Sequence, residues 1–244
     1  MRQLLVEAGT EIVWEEGLAA GAEHVTFKRA FEHLEERRGI RVTHASVIGR
    51  IWENQEEFQR DVLTMMAELE VLDADDVFAA SLPGLDELDR STAEARWRAT
   101  AELCRTECGA MFDSILRSPT WSRWMAIWAL AVVDSGSSRK KPIVEALLRG
   151  EIRATDRYEE SYAAAMQVLG LRMREPFTVR QLALSVVAFG QGCALRAGVD
   201  KTTSHGIDRA TGPEGAEQPW TMFAFGVEAL IQQFIEIDPD WVPA

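Results

Sequence analysis

The chain has 244 residues, 47% of them apolar, so it can bury a sizeable core. Eight prolines and 17 glycines are too few for a linker-rich or disordered chain. No run reaches the roughly 18 consecutive apolar residues that a membrane span needs. The three cysteines are too few for a disulfide framework, and the first residues lack the pattern of a signal peptide. We therefore expect a cytoplasmic protein that makes no membrane contact.

Apolar residues recur with helical spacing along nearly the whole chain, and no stretch shows the sustained alternation of a strand. This pattern predicts an all-α fold of about nine helices. A polar, glycine-containing loop is expected from Val199 to Pro219, before the last helix. The predicted helices cover, in chain order, about residues 2–16, 26–39, 43–52, 54–72, 91–118, 121–134, 140–169, 178–197 and 220–236.

The net charge of −13 is unusual for a protein that binds nucleic acid, but its distribution is uneven. Residues 24–52 contain six basic and three acidic side chains, so the rest of the chain is more acidic still. An acidic body would be repelled by phosphates and would leave one basic face to approach them. Charge alone does not distinguish this arrangement from ordinary variation along a chain.

The first three predicted helices, with a tight turn between the second and the third, match the requirements of a helix-turn-helix. The third helix, from Thr43 to Trp52, would lie in the major groove of DNA. Val47, Ile48 and Ile51 are expected to anchor it on the first two helices. Donor groups and small side chains that allow close approach give the predicted DNA-binding residues: Lys28, Arg38, Arg41, Thr43, His44, Ala45, Ser46, Gly49 and Arg50.

These segments resemble the tetracycline-repressor (TetR-like) family of transcription regulators. The first helix closes on Gly17, the segment from Thr43 to Phe58 is similar to the family's recognition helix and its capped exit, and 188–196 is similar to its small-residue-rich eighth helix. The segment from Glu35 to Val42 is longer than the family norm. Val47 and Gly49 stand where the family has threonine and tyrosine.

The resemblance implies two domains, a helix-turn-helix domain at 1–54 and a helical ligand-binding and dimerisation domain at 55–244. It also implies that two copies of the chain bind a double-stranded operator as a homodimer. A small ligand would change the spacing of the two DNA-binding domains. The last two helices would pair with their two-fold mates in a four-helix bundle, although the same faces could pack within one chain. The expected dimer contacts are Ala188, Phe189, Gly192, Phe223, Gly226, Leu230 and Phe234.

A ligand pocket in the C-terminal domain would be lined by an aromatic stripe and by one face of the long helix at 140–169. An aromatic stripe of this kind more often belongs to the hydrophobic core. A glutamate such as Glu159 more often lies at the solvated edge of an apolar face than in a pocket. An apolar or aromatic small molecule is the expected ligand class. The candidate lining residues are Trp97, Met111, Phe112, Trp121, Trp124, Trp128, Thr155, Glu159, Tyr162 and Met166.

Cys104 and Cys108 lie four residues apart on an apolar helix face, a spacing compatible with a metal or a redox pair but more typical of buried free thiols. We expect them to be inert, and we predict no metal and no cofactor. The sequence contains no phosphate-binding glycine loop, nucleophile elbow or HExxH motif, so no enzyme is predicted. The alternative to a DNA-binding regulator is a helical protein-interaction module that kept the fold and lost DNA binding.

Overall fold

The computed structural model describes residues 1–18, 22–68, 88–133, 141–200, 202, 206–212 and 215–242. The chain is mostly helical, as predicted, with a few short strands. The break predicted at Ser81–Gly84 and the turn at Ser135–Ser138 lie outside the described residues. The elements, in chain order, are α1 (Arg2–Glu16), α2 (Phe27–Arg38), α3 (His44–Val47), α4 (Gln55–Glu68), α5 (Ala93–Leu103), a π-helical turn (Cys104–Cys108), α6 (Gly109–Arg117), α7 (Pro119–Val133), α8 (Lys141–Leu169), β1 (Leu171–Met173), α9 (Val179–Val199), β2 (Ile207–Ala210), β3 (Glu217–Trp220), α10 (Met222–Phe234) and β4 (Ile235–Ile237).

Local capping chemistry sets several helix boundaries. The side chain of Thr26 accepts a hydrogen bond from the Arg29 amide at 3.3 Å, and Gly39 closes α2 in the left-handed conformation with φ 66°. Thr178 and Gln181 form a capping box at the start of α9. Pro119 is the first residue of α7, a position that suits proline because its missing N–H would have no partner within the helix.

The chain forms two compact units, one made of Met1–Val71 and Pro119–Ile152 and the other of Leu72–Ser118 and Arg153–Ala244. The first unit therefore contains α1–α4, α7 and the beginning of α8, which is more than the predicted domain at 1–54. Its core is aromatic. The rings of Phe27 and Trp52 lie 5.0 and 5.1 Å from that of Phe58. Gly9 lets α1 approach α4, since a Cβ there would lie 2.5 Å from a methyl group of Val62.

The second unit contains α5, α6, the rest of α8, α9 and α10, with two small antiparallel sheets. Strand β1 pairs with β4, and β2 pairs with β3 as a hairpin between α9 and α10. The sequence had predicted only loop in this region. Arg209 of the hairpin forms an ion pair with Glu228, which is 7% exposed, and its guanidinium lies over the Trp220 ring at 4.4 Å. These contacts attach the hairpin to α10.

One described helix, α9, is long and apolar enough to cross a membrane by length and composition alone. A third of its most apolar window, 33%, is buried within the protein, and α9 packs against α6 and α10 of its own unit. Core helices of folded domains pass the same test.

Candidate functional site

The segment Thr43–Arg50, which we call the tip, projects from the first unit. Its helix α3 has only four residues, shorter than the predicted 43–52, because Ile48 leaves the helix with an extended backbone and Gly49 then turns the chain with φ 72°. Val47 is fully buried and Trp52 is 2% exposed, so both ends of the turn are anchored in the core. The side chains of Thr43, His44, Ala45, Ser46 and Arg50 are exposed.

Trp52 is held in place by polar contacts as well as by burial. Its indole N–H donates to Asp61 at 2.7 Å, and the guanidinium of Arg2 also reaches this carboxylate at 2.7 Å. The Gly49 amide donates to the Trp52 carbonyl at 2.8 Å. The tip is therefore a fixed turn, with its base fastened to α1 and α4.

Most basic residues around the tip are not free. Helix α2 presents them to the acidic side of α1, and we call these contacts the α1–α2 ladder. Arg37 bonds Glu15 at 2.9 Å, and Arg38 bonds Glu7 at 2.8 Å and Glu11 at 2.6 Å. The remaining pairs are Arg29 with Glu16 and His33 with Glu11.

Arg38, one of the predicted DNA contacts, is engaged in ion pairs within the protein. Two carboxylates of α1 use its donors, and its side chain is 31% exposed. Lys28 and Arg41 pair with Glu32 and Glu35, but both side chains are highly exposed and can exchange partners readily. In the part of residues 24–52 that the structure describes, Arg50 is the basic residue without an ion pair.

The outward side of the last two long helices is apolar, as a helix pair that contacts another protein surface would be. The spacing along α9 is four, four, three and four residues, which keeps one side of the helix in line. We call the following exposed residues the outer face: Leu184, Ala188, Gly192, Leu195, Val199, Met222, Phe225 and Ala229.

The outer face contains Ala188 and Gly192 from the predicted dimer contacts but excludes others. Phe223 is 1% exposed and packs between the rings of Phe112 and Phe189, at 5.2 and 5.9 Å. A Cβ at Gly226 would overlap the Phe189 ring. These three residues join α9 to α10 within one chain, and Phe223, a predicted dimer contact, is a core residue. Leu230 is half-buried, and Phe234 packs on Phe177 at 4.6 Å.

A cavity of about 50 Å³ lies in the second unit, with an entirely apolar surface. Tyr162 and Met166, two of the predicted ligand residues, line it, together with Cys104 and Cys108 of the π-helical turn. Sequence reasoning missed the two cysteines as lining residues because periodicity shows which side of a helix is apolar, not where packing leaves a void. A hydrogen bond with Cys108 and burial raise the pKa of Cys104 well above its usual value, so its thiol stays protonated and unreactive.

The other predicted ligand residues do not line this cavity. Trp121 and Trp124 are core residues of the first unit, and Trp128 lies on the same helix. In the second unit, Phe112 and Thr155 are buried in the core, and Trp97 and Met111 are half-buried. Glu159, a predicted ligand contact, forms an ion pair with Arg180 at 3.1 Å and is partly exposed. It lies at the edge of the apolar helix face and does not line the cavity.

A second and larger space is a groove of about 860 Å³ between α5 and the β2–β3 hairpin. Its walls mix small side chains with polar ones, including Arg98, Glu102, Thr211 and Gln218. Among the residues that the structure describes, no three histidine, cysteine or acidic side chains come together as a metal site.

No protein-family model, curated protein or solved structure matches this chain.

Proposed function

We propose that this protein is a sequence-specific DNA-binding transcription regulator of the tetracycline-repressor type, a homodimer that acts as a repressor. The observation that carries the proposal is the tip. Its buried side is anchored by Val47 and Trp52, while Thr43, His44, Ser46 and Arg50 point outward. A rigid helical turn that presents hydroxyl, imidazole and guanidinium donors suits the base edges and phosphates of a major groove.

The outer face supports the dimer. An apolar row along two adjacent helices costs free energy while it faces water, and a second copy of the same face would cover it symmetrically. A dimer also supplies the two heads that a two-part operator requires. The dimer contacts that we propose are Leu184, Ala188, Gly192 and Leu195, which replace the buried residues of the sequence-based set.

We propose that a small, largely apolar ligand of the second unit modulates DNA affinity. The cavity beside Tyr162 and Met166 is the apolar site for it, and its 50 Å³ is below the roughly 300–1,000 Å³ of pockets for drug-sized ligands. The ligand is therefore small, or it widens the cavity as it binds. A thermal-shift screen of small apolar molecules tests this proposal, since a true effector raises Tm and also changes affinity for the duplex.

The experiment that tests DNA binding is selection of a randomised duplex library with the full chain, followed by mobility-shift titrations at two salt concentrations. A regulator enriches one motif and loses affinity steeply as salt rises, because phosphate contacts release counterions. A chain that enriches no motif and shows no salt-dependent binding is not a DNA-binding regulator.

A helical protein-interaction module is the second candidate, and the net negative charge of the N-terminal residues 1–68 favours it. Residues 1–68 contain 13 acidic and eight basic side chains. The α1–α2 ladder also occupies several of those basic groups. Failure of the duplex selection, together with an intact fold by circular dichroism, would support this candidate.

A further inference from the structure

The tip presents a large apolar side chain to water. Ile48 is 42% exposed, while Val47 before it is fully buried. The sequence pattern predicted Ile48 as an anchor packed against the first two helices. The structure instead uses Val47 and Trp52 as anchors and turns Ile48 outward.

The position of Ile48 is well defined by its backbone. Its amide donates to the His44 carbonyl at 2.9 Å, and it forms a bridge with Trp52. The following residue, Gly49, has φ 72°, and a Cβ there would meet no atom within 4 Å. Ile48 is thus an apolar projection on a fixed turn, with open space beside it.

The surroundings of Ile48 are small or polar. Ala45 and Gly49 are too small to shield it, the Ser46 hydroxyl donates to the Thr43 carbonyl at 2.7 Å, and Arg50 is an exposed cation. In the major groove the apolar feature of a base pair is the C5-methyl group of thymine, and aliphatic side chains contact it. A protein partner would also cover an exposed isoleucine, but the unpaired guanidinium of Arg50 favours a polyanion.

We propose that Ile48 determines specificity by packing against a thymine C5-methyl group in the operator. This inference rests on the proposed DNA-binding function. It identifies a base that the operator must contain, and it assigns the reading of that base to van der Waals contact, whereas Thr43, His44 and Arg50 of the tip carry hydrogen-bond donors.

The test uses the duplex selected by the full-length wild-type chain and replaces its thymines one at a time with deoxyuridine, which lacks only the methyl group. At one thymine of each half-site, the wild type should lose about fourfold in affinity, the equivalent of about 0.8 kcal/mol per buried methyl-sized group. Ile48→Ala removes this contact from both subunits of the dimer, so it should bind the thymine duplex about sixteenfold more weakly and should not respond to the replacement. Ile48→Val should retain part of the response.

Val144→Ala is the matched control, since Val144 of α8 is 40% exposed and lies outside the tip. It should discriminate thymine from deoxyuridine as the wild type does, and circular dichroism should show all variants folded. A wild type that binds the duplex but responds to no replacement would overturn the inference, as would an equal response in Ile48→Ala. A wild type that selects no duplex refutes the proposed function itself.

Discussion

At the scale of single residues, Arg38 and Arg50 carry the same charge but have opposite surroundings. Arg38 is bonded to two glutamates of α1, whereas Arg50 has no ion pair among the described residues. Both are basic residues in the sequence. Only the structure shows that the Arg38 guanidinium is already bound within the protein, whereas that of Arg50 is not.

Arg50→Ala should therefore weaken binding to the selected duplex and, if Arg50 binds a phosphate, reduce the salt dependence by about one counterion per subunit. The free energy of unfolding should stay within about 0.5 kcal/mol of wild type, as for an exposed residue. Arg117→Ala is the control, since Arg117 of α6 is an arginine whose side chain is 74% exposed. Equal affinities of Arg50→Ala and wild type would remove Arg50 from the interface.

Because of Glu11, the contribution of the α1–α2 ladder to the free energy of unfolding depends on pH. The hydrogen bond from His33, with help from Arg38, holds the pKa of Glu11 below its usual value of 4.5. A lowered pKa in the folded state means that the contribution is present above about pH 4.5 and is lost as the pH falls through the folded-state value.

Glu11→Gln should lower the free energy of unfolding near pH 7 by less than about 1 kcal/mol, because the carboxylate is partly solvated. Its stability should then fall less on acidification than that of the wild type. Thermal melts between about pH 3 and pH 7 measure both effects. Glu36→Gln, an exposed neighbour on α2, should melt as the wild type does at every pH. Parallel pH profiles of Glu11→Gln and wild type would contradict the assigned role.

At the scale of elements, glycines decide how closely α9 and α10 approach. A Cβ at Gly226 would overlap the Phe189 ring, whereas a Cβ at Gly198 of α9 would meet nothing within 4 Å. Both glycines lie inside helices, so their intrinsic helix propensity is the same and only the surroundings differ.

Gly226→Ala should destabilise the fold by about 1–3 kcal/mol, since the ring must move in a packed core. Gly198→Ala should be neutral or stabilise by up to about 1 kcal/mol, because alanine is the better helix former. Urea unfolding of the two variants compares them directly. Stability of Gly226→Ala equal to wild type would show that Phe189 has room to shift.

At the scale of the whole molecule, the outer face predicts a dimer. Gly192→Glu places a charge on this face without a clash in the chain itself, since a Cβ at Gly192 meets nothing within 4 Å. It should yield folded monomers with weakened affinity for a two-part duplex, because burying an unpaired carboxylate at an interface is costly. Sedimentation velocity measures the mass.

Ala163→Glu is the control for this variant, since Ala163 is an exposed alanine of α8 outside the outer face. It should remain a dimer. A dimer of unchanged stability in Gly192→Glu would remove α9 from the interface and leave the outer face to another partner.

Sequence periodicity and capping residues determined the helical class and most helix boundaries, because these depend on neighbours within one or two turns. Boundaries of α1, α2 and α9 follow from such signals at Gly17, Thr26, Gly39 and Thr178. The short β2–β3 hairpin was missed, since its stability comes from the contacts of Arg209 with Trp220 and Glu228.

Only the tertiary structure decided which side chains of the predicted helices stay exposed and unpaired, so that they can contact a partner. Helix patterns identified a basic region, an apolar helix pair and an aromatic stripe. Packing then assigned Arg38 to α1, Phe223 to the core, and Ile48 and Leu184 to the surface. The physical reason is that exposure and charge pairing depend on residues far apart in the chain, and a local pattern does not contain that information.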